Sequence, residues 1–150
     1  MRKIMTMLFG FIPWVAGIVL YNLMMTVFYD VRINFYIVGT FSLIFWGLLA
    51  CVVNHSLNNS IVTTVLLNIP AFVALLLITV ERIILYTNWG GIVGLFTGRF
   101  FFPVLSLGFW ITKWNGSLGA AYYASFFLML LASFIGCYLG NIWDKNQAKK

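Results

Sequence analysis

Residues 34–80 read NFYIVGTFSLIFWGLLACVVNHSLNNSIVTTVLLNIPAFVALLLITV and contain no Asp, Glu, Lys or Arg. Their one polar break, Asn54-His55-Ser56-Leu57-Asn58-Asn59-Ser60, leaves apolar pieces at 34–53 and 61–80. A hydrocarbon core of about 30 Å takes about 20 helical residues at 1.5 Å each, so both pieces are long enough to cross it. In lipid a helix satisfies its backbone groups internally and needs no polar face. The stretch therefore reads as a helical hairpin with lipid as its solvent.

The whole chain agrees with that reading. It is 63% apolar and 8% charged, with a mean hydropathy of +1.00. Soluble domains run at about 45–50% apolar and about 25% charged. A water-soluble fold would have to hide nearly every residue, and 150 residues carry too much surface for that.

Outward from the hairpin, 4–29 is an uncharged run bounded by Arg2-Lys3 and Asp30-Val31-Arg32. It exceeds the apolar region of about 7–15 residues found in a signal peptide. Beyond Glu81-Arg82, residues 92–112 form a further apolar run with Arg99 near its middle, and 118–143 form the last. The expectation is an all-α, polytopic membrane bundle in one domain. It has four transmembrane helices and a fifth, Arg-bearing segment that spans or is re-entrant. Pro13, Pro70 and Pro103 predict bends, because each lacks an N–H and crowds the carbonyl four residues back. Trp89, Trp110, Trp114 and Trp143 fall at segment boundaries, the headgroup level that indole prefers.

The formal charge of +6, nine bases against three acids, does not imply nucleic acid. The bases sit singly or in pairs at segment ends, where they anchor and orient, instead of forming one phosphate-binding face. Five crossings put the N-terminus outside and the C-terminus inside; four put both inside. Each scheme places the C-terminus in the cytoplasm, in a bacterial plasma membrane judged from short tails and absent extramembrane domains.

Candidate sites are few. In the last span Gly116, Ala120, Ala124, Leu128, Ala132, Gly136 and Gly140 recur every four residues, and all but Leu128 are small. Such a ridge admits another backbone closely, either within the bundle or from a second protein. Arg99 is an ionisable group inside an apolar run, with Glu81 or the carbonyl freed by Pro103 as a partner. It reads as an anion site, or as a structural ion pair or snorkelling cation; Glu81 and Arg82 complete that candidate set. Asn22, Thr26, Asn68, Tyr122 and Tyr123 are polar groups within spans that could line a cavity.

The three acids each lie near a base at a segment end, which disfavours a proton relay. His55 has no second His or nearby carboxylate, Cys51 and Cys137 show no CxxC spacing, and Gly90-Gly91-Ile92-Val93-Gly94 lacks a P-loop ending. No catalytic set, metal site or cofactor is implied. The leading expectation is a non-enzymatic protein working through helix contacts as an accessory subunit, assembly factor or protective partner. Its partners would be membrane lipid and either a second copy or another membrane protein. The runner-up is a small oligomeric transporter or channel using Arg99.

Overall fold

The computed structural model describes residues 2–26, 34–57, 59–81, 92–112 and 118–147. Among them every regular element is helical: α1 (Arg2–Phe9), α2 (Ile12–Thr26), α3 (Phe35–Leu57), α4 (Ser60–Thr79), α5 (Ile92–Phe100), α6 (Phe102–Ile111) and α7 (Leu118–Gln147). With α1 and α2 taken together, four helices are long and apolar enough to cross a membrane: Arg2–Thr26, Phe35–Leu57, Ser60–Thr79 and Leu118–Trp143. The remaining apolar segment is the short pair α5 and α6.

Two prolines set the breaks. Pro13 and Pro103 each sit in the first turn of a new helix, where a missing N–H costs nothing. The chain turns just ahead of each, at Gly10-Phe11 and at Phe101. Pro70 behaves otherwise: α4 stays helical through it, with Gly10 of the first span lying against the ring. A β-carbon at Gly10 would stand 2.5 Å from the Leu67 carbonyl oxygen and 2.8 Å from Pro70, so the absent side chain is what lets the first span approach.

The hairpin is tighter than its polar composition suggests. Helix α3 runs on through the Asn54-His55-Ser56 break, and α4 starts at Ser60 behind the Asn59 cap. The Asn59 side chain accepts from the Val62 N–H at 3.1 Å. Asn34 caps α3 likewise, accepting from the Tyr36 N–H at 3.1 Å. Asn54 is consequently a buried helical residue, not a loop residue, while His55 stays exposed on the last turn of α3.

Contacts along the bundle give the helix directions. On α7, Gly136 lies against Gly47 and Gly140 against Cys51, so α3 and α7 run parallel. Thr79 and Tyr123 share a hydrogen bond of 2.6 Å, Asn68 meets Ser133 at 2.7 Å, and Asn141 meets Ser60 at 2.6 Å, so α4 runs antiparallel to α7. At the Ser60 end the Arg2 guanidinium donates to the Ser56 carbonyl at 3.4 Å, which places the start of α1 there too.

Because α4 and α7 are antiparallel neighbours, the chain leaves α4 and enters α7 at the same end of the bundle. Five crossings would make them parallel. The Arg-bearing segment is therefore not a fifth full crossing. Its nine-residue and ten-residue helices are about 13.5 and 15 Å long, each about half a hydrocarbon core. Both Phe100 and Phe101, at the break between them, are completely buried and join the core of Trp46, Leu67, Ile78, Val104 and Met129. Helix α4 is central: half of its most apolar window is inside the bundle, against 22%, 22% and 28% for the other three.

Candidate functional site

The row of small residues on α7 lies inside the bundle over its second half. Ala132, Gly136 and Gly140 face α3, where a β-carbon on Gly136 would collide with the Gly47 carbonyl and one on Gly140 would stand 3.1 Å from the Cys51 oxygen. The first half of α7 uses another line. Gly108 of α6 is pressed against the Ala121 carbonyl and the Ser125 hydroxyl, one residue round from Ala120 and Ala124, which are half-buried. Geometry explains the switch. Each four-residue step overshoots a turn by about 40°, so six steps wind about 240° and cannot face one neighbour throughout. Gly116 lies outside the described residues.

Beside that seam runs a buried polar network at the α3–α4–α7 junction. The Asn54 amide donates to the Cys137 carbonyl at 3.0 Å and to the Asn141 side-chain oxygen at 2.7 Å, and its own oxygen accepts from the Thr63 hydroxyl at 2.9 Å. Asn141 in turn donates to Ser60 at 2.6 Å. One turn deeper, Asn68 donates to the Thr64 carbonyl and to Ser133. Asn54 and Asn141 had a sequence signal, amides interrupting apolar helices, but nothing in the sequence pairs them across 87 residues. The other polar groups that could line a cavity have separate partners. Thr26 bonds back to the Asn22 carbonyl on α2, Tyr123 reaches Thr79, and Tyr122 stacks edge-on against Phe101.

Arg99 is half-buried near the C-terminus of α5. Its guanidinium lies over the Tyr21 ring at 4.6 Å, and its backbone carbonyl fills the space a side chain on Gly17 would need. Tyr21 also meets Phe102 edge-on at 5.6 Å, and Phe102 meets Phe35 at 6.4 Å. The contact found for Arg99 is thus aromatic. Glu81, buried just past α4, has an interaction of its own. Arg82 lies outside the described residues.

The feature no sequence motif announced is an apolar crevice of about 380 Å³ between α2 and α3. Helix α2 packs on α5 and α6, and α3 on α7, α6 and α4, so the first two crossings splay apart over α6. Ala16 and Leu20 form one wall, Phe41 and Phe45 the other, and Val104 and Met129 the floor. Phe41 and Phe45 are also largely exposed, so the crevice opens sideways, away from the core. Among the described residues no three His, Cys, Asp or Glu side chains come together as a metal site.

These features define a class: an all-helical bundle of four membrane-length helices, with a bent helix pair inserted from one end. Comparison with models of known families, with curated proteins and with solved structures gives no match in any of the three.

Proposed function

We propose that this chain is an integral membrane protein that works through contact with apolar molecules in the lipid phase, as an accessory subunit, assembly factor or protective partner, with no chemistry of its own. The observation that carries this reading is the pairing of a closed interior with an outward-opening crevice. Phe100, Phe101, Leu67 and Met129 plug the centre, and Asn54 and Thr63 are fully buried, whereas the α2–α3 crevice offers apolar walls sideways. A solute pathway needs polar groups lining water, and Ser42 is the one hydroxyl on the walls of this crevice.

The α7 row is engaged within the bundle along Ala132–Gly136–Gly140, so a partner would meet another face. The exposed aromatic edge of α3 at Phe41 and Phe45 is the surface we assign to it. Photo-crosslinkers placed at Phe41 and Phe45 should capture one defined partner in membranes. Crosslinkers at Phe127 and Ile135, on the outer face of α7, should not capture that partner. Identical products from both faces would refute the assignment.

The second reading, an oligomeric transporter or channel, draws its support from Arg99, a cation held partly buried on a broken helix. It predicts anion flux in reconstituted vesicles that Arg99→Leu abolishes and a stable oligomer in detergent.

A further inference from the structure

We infer that the α2–α3 crevice holds one acyl chain of an anionic phospholipid whose phosphate is bound by Arg99. The inference rests on the lipid-embedded reading above and names the ligand of that crevice. Its volume of about 380 Å³ accommodates about a dozen methylene-sized groups, taking each as about the 30 Å³ of a liquid water molecule. That is most of one fatty acyl chain. Val104 and Met129 close the slot from below, so what enters it lies between Ala16 and Leu20 on one side and Phe41 and Phe45 on the other, whose outer edge stays open to the partner.

Charge selects among lipids. Leu20 is the last residue of α2 on the crevice wall; Tyr21, one rise further along and turned about 100° toward α5, lies outside the lining and carries the Arg99 guanidinium on its ring, so the cation stands beyond that end of the slot. A ring face attracts the cation's charge but offers no oxygen to its five N–H donors, whereas a phosphate oxygen pair suits them bidentately. The aromatic file Tyr21–Phe102–Phe35 lies at this same end of the gap, where α2 finishes and α3 begins. A lipid with its tail in the slot would therefore carry its headgroup to the end where Arg99 waits. Zwitterionic lipids share the tail but place a compensating cation beside the phosphate, so they gain less.

The test uses the full chain, purified in nonionic detergent, stripped of lipid and offered equal amounts of phosphatidylglycerol and phosphatidylcholine with matched chains. Native mass spectrometry should find one phosphatidylglycerol retained with a preference of about tenfold, the worth of one added charge-assisted contact. Arg99→Leu should abolish the preference and Arg99→Lys should keep part of it. Ala16→Phe should lower retention of both lipids, and Ile135→Phe should change neither. Should Ala16→Phe fail to fold, phosphatidylglycerol bearing a photoreactive acyl terminus should label α3 around Phe41 and Phe45 in the unaltered chain. Equal retention of the two lipids, a preference that survives Arg99→Leu, or labelling centred on the outer face of α7 would each overturn the site. Recovery of the chain in buffer without detergent would instead sink the membrane reading beneath it.

Discussion

Gly136 and Gly47 touch backbone to backbone: a β-carbon on the first would occupy the carbonyl of the second. Contact this close lets α3 and α7 pack along most of their lengths, and it leaves no room for a side chain at the crossing. In lipid, where burial of apolar surface drives little helix association, such van der Waals contact supplies much of the attraction.

Substitution at this crossing should be costly. Gly136→Leu, alone or with Ala132→Leu, should destabilise the bundle by more than the about 1–3 kcal/mol typical of overpacking, since backbone and not a flexible side chain must give way. Thermal unfolding in detergent and accumulation in membranes would both report it. Ile135→Leu, one position away and exposed, should behave as wild type. Normal stability of Gly136→Leu would mean the two helices do not meet there.

The fully buried Asn54 amide makes three hydrogen bonds, two to buried groups and one to the part-buried Asn141. Asn54→Ala takes one partner each from Asn141, Thr63 and the Cys137 carbonyl, leaving Asn141 on Ser60 and Thr63 on the Asn59 carbonyl, and should cost about 1–3 kcal/mol in a chemical unfolding titration. Asn22→Ala, on the exposed side of α2, should cost close to nothing. In a double-mutant cycle, Asn54→Ala and Asn141→Ala together should cost less than the sum of the two single changes, because each removes the same Asn54–Asn141 bond.

With α4 antiparallel to α7 and Arg2 bonded to the Ser56 carbonyl, the start of α1 and the end of α7 lie at one end of the bundle. Reporters fused to the two termini should therefore register the same compartment. Among the described residues Arg2, Lys3 and Lys145 stand at that end and Arg99 away from it, so the bias of Lys and Arg toward the inside predicts a cytoplasmic signal from both fusions. Opposite signals from the two fusions would restore five crossings.

The Tyr21 ring beneath Arg99 should matter as a π surface. Tyr21→Phe should leave stability unchanged, while Tyr21→Leu should cost about 0.5–2 kcal/mol, the span from exposed to desolvated cation–π contacts. Equal losses for both would point to the phenol hydroxyl instead of the ring.

Much of this was readable one residue at a time. The absence of charge through 34–80 determined helices of membrane length, because chain composition sets the solvent and 1.5 Å per residue sets the span. The prolines marked where helices start afresh: Pro13 and Pro103 both open a new helix, whereas Pro70 is absorbed by a continuous one packed against Gly10. The spacing of small residues on α7 is equally local. Its use is not, since a four-residue row winds round the helix and only the neighbours decide which part of it is covered.

Tertiary structure decided the rest, for one physical reason: direction and pairing depend on residues far apart in the chain. Helix α4 lies antiparallel to α7, so the Arg99 segment returns to the end it left. Cys137 lies 3.5 Å from the Ala50 carbonyl and Cys51 beside Gly140, which puts the two cysteines at one level. Asn54 leaves its polar neighbours in sequence for Asn141. The crevice between α2 and α3 belongs to no segment at all; it exists because α2 packs on α5 and α6 while α3 packs on α7, α6 and α4.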